Sequence, residues 1–239
     1  MENETERLEQ VADWFSAYEG FNGRLVRYSF EALRPHFTGA RCLELGSADG
    51  QMTEMLLDVF DEVTSVDGSP TYVQQVGERI GDRPGFRIEQ SLFEEYSTEQ
   101  RFDTVVATHI LEHVDDPVDV IRRALDWTAP DGRLVVAVPN ALSIHRLAAV
   151  EMGLLADPHE LNERDRRLGH RRVYDPDGLR GDLEQAGWTV ELSGGVFLKV
   201  LTNAQIEEWF TPEMEQGFYR LGEHFPQNSA EIYAVCSPG

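Results

Sequence analysis

The sequence predicts an α/β fold in which helices cover a mostly parallel β-sheet. Between positions 40 and 140, short apolar strands alternate with helices, as right-handed βαβ units require. The strand at 134–138 is apolar at every position, which suits a strand buried on both faces of a parallel sheet. With 239 residues, the chain is long enough for one large domain and too short for two comfortable ones.

Two amphipathic helices are predicted at the start of the chain. Apolar residues recur at helical spacing over 5–19 and again after Asn22, and Pro35 ends the second helix. Further on, Ser69 followed by Pro70 predicts an N-cap and a first helical position. The alternating part is predicted in this order: strand 41–45, helix 52–60, strand 63–67, helix 70–80, strand 86–90, strand 102–108, helix 117–128 and strand 134–138.

The last hundred residues depart from this alternation. A charged, helical stretch at 141–172 precedes a helix at 176–186, and an aromatic helical insertion follows at 205–225. Alternating patterns predict strands at 188–192, 196–201 and 231–236. We therefore predict one domain over 1–239, made of a helical lid at 1–38, a ligand-binding core at 40–140, and substrate-side insertions at 141–172 and 203–226.

Composition limits the partners of the chain. The formal net charge is −22, and such a field repels nucleic acids and anionic lipid surfaces. No apolar run approaches the roughly 20 residues of a membrane helix, and the acidic N-terminus does not read as a secretory signal. We expect a cytoplasmic protein with no nucleic-acid and no membrane partner, whose Cys42 and Cys236 are buried thiols in strands.

Two acids near neighbouring strand ends carry the functional prediction. Strand one contains Glu44 and runs into a turn with Gly46 and Gly50, and strand two ends at Asp67. Glycines let the backbone approach a ligand closely, and an acid at the second strand end can accept the hydroxyls of a ribose. The pattern predicts a site for a nucleoside-containing cofactor.

The turn argues against a dinucleotide. A nicotinamide-binding turn reads Gly-x-Gly-x-x-Gly, whereas here Ala48 takes the middle glycine's place and the spacing is wrong. Glu44 would repel a pyrophosphate but could attract a cation. The residues therefore favour an adenosine with a positive, phosphate-free tail, a description that S-adenosylmethionine meets.

Four segments in order then resemble the class I S-adenosylmethionine-dependent methyltransferases. Their small-molecule branch, which includes the ubiquinone-pathway O-methyltransferases, is also similar over 169–174 and 183–188. The resemblance implies a doubly wound, Rossmann-like sheet of seven strands, mostly parallel with an antiparallel last strand. The four segments are LELGSADG at 43–50, VDGS at 66–69, FDTVVATHILEHV at 102–114 and PDGRLVVAVP at 130–139.

The resemblance also implies roles for individual residues. Glu44 and Gly46 would face the methionine part of the cofactor, and Asp67 would accept both ribose hydroxyls. Ser91 stands where the family often has an Asp that contacts the adenine amino group. The other residues implied to bind the cofactor are Ser47, Ala48, Gly50, Gly68, Ser69, Leu92, Phe93, Thr108 and His109, with Tyr18 and Tyr28 in the lid.

Four histidines are candidates for a general base, which methyl transfer needs when the nucleophile must lose a proton. They are His109, His113, His145 and His170, and the sequence leaves the choice between them open. His109 and His113 are spaced i, i+4 around Glu112, which is compatible with a metal site. Because no third ligand is evident from the sequence, we predict no metal.

Arginines cluster between positions 164 and 172 in an otherwise acidic chain. They form either a solvated, salt-bridged helix or a clamp for a carboxylate or phosphate on the substrate. We take Arg171, Arg172, Asn140 and Tyr174 as candidate substrate-binding residues. The aromatic residues at 209–225 could line a substrate pocket or a contact in a homodimer.

The predicted function is S-adenosylmethionine-dependent methyl transfer to a hydroxyl or carboxyl oxygen of a small molecule, with S-adenosylhomocysteine as product. Methylation of a nitrogen is the alternative, because the motifs do not encode the acceptor atom. A dinucleotide-dependent oxidoreductase and a non-catalytic cofactor-binding protein are the remaining hypotheses.

Overall fold

The computed structural model describes residues 4–12 and 14–239. Seven strands form one sheet in the order β3-β2-β1-β4-β5-β7-β6. Strands β1 to β5 pair in parallel, and β7 lies antiparallel between β5 and β6. The predicted seven-stranded sheet with an antiparallel last strand is confirmed. The strands are β1 Arg41–Leu45, β2 Glu62–Asp67, β3 Phe86–Gln90, β4 Phe102–Thr108, β5 Thr128–Pro139, β6 Trp188–Val196 and β7 Glu231–Pro238.

Helices cover both faces of the sheet. Val105 and its face of the sheet pack against α5 and α8, whereas Val106 faces the opposite side, with α2, α3 and α4. This alternation is what a doubly wound sheet requires. The helices are α1 Glu4–Ala12, α2 Gly20–Leu33, α3 Gln51–Leu56, α4 Pro70–Ile80, α5 Pro117–Trp127, α6 Ile144–Glu151, α7 Glu163–Arg167, α8 Pro176–Gln185, α9 Asn203–Trp209 and α10 Pro212–His224.

The predicted strand at 196–201 is wrong. Strand β6 ends at Val196, and Phe197 takes a left-handed backbone conformation with φ of +60°. Its ring is fully buried and lies 4.9 Å from the ring of Phe21. The apolar pattern of this segment therefore reflects packing of an irregular segment against α2 rather than strand pairing.

Several helical predictions need correction at their bounds. The helix predicted over 5–19 is Glu4–Ala12, and the helix predicted at 52–60 is Gln51–Leu56. The insertion at 205–225 is two helices, because Phe210 leaves the helical conformation and Thr211 caps a new helix that begins at Pro212. The stretch at 141–172 contains only the short helices α6 and α7. Both predicted thiols, Cys42 and Cys236, are buried. Over residues 4–12 and 14–239, the structure contains no helix that is both long and apolar enough to span a bilayer.

The sheet order brings three chemically active segments to one edge. Strands β2, β1 and β4 are adjacent and parallel, so their carboxyl ends meet. Asp67 ends β2, Gly46 follows β1, and Thr108 ends β4. In open α/β sheets this edge is where ligands bind.

Candidate functional site

A cavity of about 880 Å³ opens at the carboxyl edge of the sheet. Its floor is formed by the ends of β1, β2 and β4, and α1 contributes Leu8 and Val11 from above. The far side is formed by residues after β5 and by the segment that follows β6, including His145 and Lys199. The volume is ample for a nucleoside cofactor together with a second small molecule.

The glycine turn keeps its backbone close to the cavity. Gly46 has φ of +81°, and a side-chain carbon there would lie 2.6 Å from Ile110. Ala48 also takes a left-handed conformation, with φ of +45°, although it carries a side chain. The left-handed conformation of Ala48 therefore places backbone strain at the surface of the cavity, at a position where glycine is usual.

Asp67 is held in place by the turn that it faces. Its carboxylate accepts hydrogen bonds from the backbone N–H of Ala48 at 3.1 Å and from that of Ser69 at 2.8 Å. It lines the cavity, and burial raises its pKa to about 6. A ligand that donates hydroxyl hydrogens to this carboxylate would favour its ionised form.

Glu44 has a different position from the one predicted. It lies beneath the turn, where it accepts hydrogen bonds from Thr53 and Ser65. Burial raises its pKa to about 7. Within the described part of the chain, its Oε1 has no hydrogen-bond partner. Glu44 therefore supports the turn from below instead of facing a ligand.

The N-terminal segment covers the cavity. Glu9 of α1 accepts hydrogen bonds from Ser69 and Thr71, at the start of α4. Asp49 accepts from the hydroxyl of Ser16 at 2.7 Å and from the N–H of Ala17 at 2.9 Å. These bonds attach the N-terminal segment to the turn after β1 and to the start of α4.

The apolar lining of the lid comes from other residues than the two predicted tyrosines. Leu8, Val11 and Phe15 line the cavity. Tyr18 lies against the guanidinium of Arg79, and Tyr28 stacks on Tyr219 with ring centroids 4.7 Å apart. Both tyrosines lie away from the cavity, and a lid function of the N-terminal segment stays a prediction.

The ring of His109 lies between two buried carboxylates, those of Glu231 and Glu112. Its Nε2 lies 3.0 Å from Glu231, and its Nδ1 lies 3.5 Å from Glu112. Burial opposes the charged ring, but these two carboxylates raise the pKa of His109 well above its ordinary value. An imidazole that already holds its proton is a hydrogen-bond donor, which argues against His109 as a general base.

Glu112 is surrounded by imidazoles. His113 and His170 lie beside it, with their rings perpendicular and their centroids 4.7 Å apart. The carboxyl group is buried, and in the described chain neither of its oxygens has a hydrogen-bond partner. The nearby histidines lower the pKa of Glu112 to about 2 despite burial, so it is ionised. His170 thus supplies the third candidate ligand that was not evident from the sequence.

Arg171 and Arg172 bind the protein's own backbone. Arg171 donates to the carbonyl of His113 at 2.7 Å and pairs with Glu4 at 2.9 Å. Arg172 donates to the carbonyls of Leu111 and Val114. The predicted clamp for a substrate anion is therefore not at these two residues. Their guanidinium groups fix the loop after β4 instead.

The side chains of Asn140 and Tyr174 are also hydrogen-bonded within the protein. The amide of Asn140 donates to the carbonyls of Gln227 and Ser229, each at 2.9 Å. The hydroxyl of Tyr174 donates to Asp182 at 2.8 Å, away from the cavity. Asn140 lines the cavity, but the bonds of its side chain shape the turn after β5.

The substrate side contains Lys199, which sequence reasoning did not assign to the site, and Arg164 of the predicted arginine cluster. Lys199, the single lysine of the chain, lines the cavity and donates to Asn203. Burial, with Arg164 nearby, lowers its pKa to about 8. Arg164 and Arg146 also line the cavity, and the guanidinium of Arg146 is engaged by Asp165 at 2.9 Å. The one available signal was the uniqueness of Lys199.

The four predicted histidines all line the cavity. Burial lowers the pKa of His145 to about 2 and that of His113 to about 4, so both rings are neutral near pH 7. The predicted cofactor residues on the wall are Gly46, Ser47, Ala48, Asp67, Gly68, Ser91, Leu92, Phe93, Thr108 and His109. Those away from it are Glu44, Gly50, Ser69, Tyr18 and Tyr28.

Comparison with known proteins matches most of the chain to one family. Residues 18–193 match a family model described as a methyltransferase domain. The chain is 30% identical over 120 residues to a ubiquinone biosynthesis O-methyltransferase of Xanthomonas euvesicatoria pv. vesicatoria (strain 85-10), covering 48% of this chain and 49% of the relative. It is 32% identical over 127 residues to the enzyme of that name from Caulobacter sp. (strain K31), covering 50% of this chain and 48% of the relative. The chain thus spans about half the length of these curated relatives in the match.

Solved structures share the fold over the whole chain. The N-methyltransferase NodS from Bradyrhizobium japonicum WM9, in complex with S-adenosyl-L-homocysteine, superposes with a TM-score of 0.64 at 16% identity and covers 99% of both chains. The CcbJ methyltransferase from Streptomyces caelestis superposes with a TM-score of 0.62 at 18% identity and covers 100% of both. At these identities, the likeness shows the fold alone.

Proposed function

Because the chain belongs to the methyltransferase domain family, we propose that it transfers a methyl group from S-adenosylmethionine to an oxygen of a small molecule. One observation carries the proposal. A single cavity joins the glycine turn and Asp67 at one end to histidines and Lys199 at the other. The first end suits an adenosine, and the second leaves space for an acceptor beside the position where the methyl group would lie.

The chemistry requires alignment more than reactive side chains. When bound, S-adenosylmethionine would supply a methyl group on a positively charged sulfur. The acceptor oxygen would form a C–O bond to that carbon while the C–S bond breaks with its electron pair on sulfur, and the acceptor proton would pass to a base. Correct alignment of two bound reactants is worth about 7–11 kcal/mol, so the cavity beneath α1 would contribute mainly by holding the two reactants in line.

His145 suits the role of proton acceptor better than His109. His145 is neutral and lies on the substrate side, and among the described residues its Nδ1 has no hydrogen-bond partner. The burial that keeps this ring neutral also makes it a weak base, so the pKa of His145 does not identify the acceptor group.

The acceptor also carries a negative group in our proposal. Lys199 and Arg164 reach the cavity, whereas the guanidinium of Arg146 is already engaged by Asp165 and two backbone carbonyls. The partly buried ammonium donates to the neutral amide of Asn203, which does not balance its charge. A carboxylate or phosphate on the acceptor would compensate it.

N-methylation remains the second candidate. The fold neighbour NodS is titled an N-methyltransferase and matches the full length of this chain. The curated relatives are named O-methyltransferases and are more similar in sequence, at about 30% identity. This difference in similarity favours oxygen as the acceptor atom.

Cofactor binding and methyl-transfer turnover together test the proposed function. We expect calorimetry to show one site for S-adenosylhomocysteine and no comparable binding of a nicotinamide dinucleotide. Release of S-adenosylhomocysteine is then measured with matched acceptors that carry either a phenol, a carboxyl or an amine beside an acidic group. Binding without turnover on any acceptor would favour a non-catalytic protein, and preference for the amines would favour N-methylation.

Replacing Lys199 by Met should stabilise the protein. The buried ammonium has a folded pKa of about 8 against an ordinary value of 10.5, so burial of the charge costs stability at pH 7. Allowing for the lost bond to Asn203, we expect a gain of about 1–2 kcal/mol in the free energy of unfolding. The gain should narrow as pH rises above about 8, where the folded lysine loses its proton. Urea unfolding between pH 6 and pH 9 measures the gain in the free energy of unfolding and its dependence on pH, with Arg220→Met as a surface control.

A loss of stability in the Lys199→Met variant at every pH would contradict this expectation. It would show that the lysine is kept for the fold. A gain would mark a residue retained at a cost to stability, as expected for a group that binds substrate.

A further inference from the structure

We propose that Glu112, His113 and His170 bind a divalent metal ion on the wall of the cavity. Each offers one donor atom, and the three atoms lie within 4.8 Å of one another. Ligation at the roughly 2.0–2.2 Å bonds of such a site would draw the three atoms closer together. Sequence reasoning predicted no metal because His170 lies 57 residues after His113.

The state of Glu112 points to a missing partner. Its side chain is 1% exposed, yet across the described residues both of its oxygens lack a hydrogen bond. The Nδ1 of His170 is likewise buried without one. That nitrogen lies 3.6 Å from Oδ1 of Asp165, whereas the carboxylate of Glu112 has imidazoles around it. Buried polar atoms are nearly always satisfied, so the unpartnered carboxylate of Glu112 calls for a ligand. A cation would satisfy the carboxylate and the imidazoles together.

The fold delivers His170 to this position. The N–H of Arg171 donates to the carbonyl of Glu112 at 2.7 Å, and its guanidinium donates to the carbonyl of His113 at 2.7 Å. Arg172 holds the next turn of the same loop. These hydrogen bonds hold the segment that contains His170 against the segment that contains Glu112 and His113.

The donor set indicates which ions fit. Two imidazoles and one carboxylate suit Zn²⁺, Mn²⁺, Fe²⁺ or Co²⁺, whereas Mg²⁺ and Ca²⁺ prefer oxygen ligands alone. Three protein ligands leave coordination positions open, as in catalytic metal sites. Because all three residues line the cavity, those positions face the acceptor space.

A role for the ion rests on the proposed function, although the site itself does not. A hydroxyl oxygen that coordinates a divalent cation loses its proton more easily and is held at a fixed distance from the cofactor. The substrate class would then be an alcohol or phenol that binds the ion through its reacting oxygen or a neighbouring one.

The rival explanation is charge compensation by His109. Its imidazolium lies 3.5 Å from Glu112 and could balance the carboxylate without a metal. At that distance, however, it satisfies neither carboxylate oxygen by a hydrogen bond. Its second nitrogen is also committed to Glu231. The two explanations differ in whether the purified protein takes up one ion.

Metal binding is measured directly, without an activity assay. Protein stripped with a chelator is titrated with Zn²⁺ by calorimetry and with Co²⁺ by visible absorption. We expect one ion per chain, a tetrahedral-type cobalt spectrum, and no comparable binding of Mg²⁺. His170→Ala and Glu112→Gln should weaken binding by more than the roughly 10–100-fold that loss of an outer hydrogen-bond partner costs. His224→Ala, an exposed histidine at the end of α10, is the matched control and should bind as the parent does.

Surface carboxylates of this acidic chain could also hold ions, so the comparison between variants decides. Equal Zn²⁺ affinity in the parent and in His170→Ala, or no stoichiometric binding in the parent, would overturn the site. S-adenosylhomocysteine affinity is measured on the same samples. Its retention with no metal binding would refute this inference alone, and its absence with metal bound would refute the proposed cofactor alone.

Discussion

Replacing Asp67 by Ala should abolish most of the affinity for S-adenosylhomocysteine. In the proposed complex, the carboxylate accepts hydrogen bonds from both ribose hydroxyls, and hydrogen bonds to charged groups are worth about 1.5–3 kcal/mol each. Loss of about 3 kcal/mol corresponds to a fall of about 100-fold in affinity. Calorimetry measures it, and Asp61→Ala, an exposed acid outside the cavity, serves as the control.

The charge of Asp67 gives a second readout. Its folded pKa of about 6 lies above the ordinary value because the group is buried, so the ionised form that would bind ribose is lost as pH falls through about 6. Affinity for S-adenosylhomocysteine should weaken over this range in the parent. It should stay flat with pH in Asp67→Asn, which keeps the shape of the side chain. Unchanged affinity in both Asp67 variants would refute the cofactor assignment.

Asp67 lies in the part of the fold that could be predicted from sequence. Strand ends near glycines and acids are local patterns, and the parallel order of β2, β1 and β4 brings them together without further information. Many of the residues predicted to bind the cofactor therefore line the cavity, and their role stays a prediction. Glu44 is one of five that do not line it, because a side chain on a strand can face either the ligand or the support beneath it, and the sequence does not say which.

The substrate side could not be predicted in the same way. His170 and Lys199 reach the cavity only through long-range packing, from segments whose sequences read as charged helix and as strand. Arg171 and Arg172 looked like an anion clamp, since a guanidinium binds a backbone carbonyl as readily as a substrate anion. No spacing rule separates these uses, and only the positions of the carbonyls after β4 decide between them.

The ion pair between His109 and Glu231 supports the largest stability prediction. Glu231 is 2% exposed and also accepts a hydrogen bond from Ser29, so its carboxylate depends on these two partners. The carboxylates of Glu231 and Glu112 raise the folded pKa of His109 above its unfolded value near 6.5. The stability from this pairing is therefore complete below about pH 6.5 and is lost as pH rises through the raised folded pKa.

The Glu231→Gln variant should lower the free energy of unfolding by about 2 kcal/mol or more at pH 6. Breaking a fully buried ion pair costs about 3–5 kcal/mol, and the partial exposure of His109 to the cavity reduces that figure. The difference from the parent should shrink as pH rises, because the parent loses the same charge pair when His109 deprotonates. Urea unfolding from pH 6 to pH 9 tests this, with Glu208→Gln on the exposed face of α9 as control. A difference that does not change with pH would show that His109 is neutral in the folded protein, which would restore it as a candidate general base.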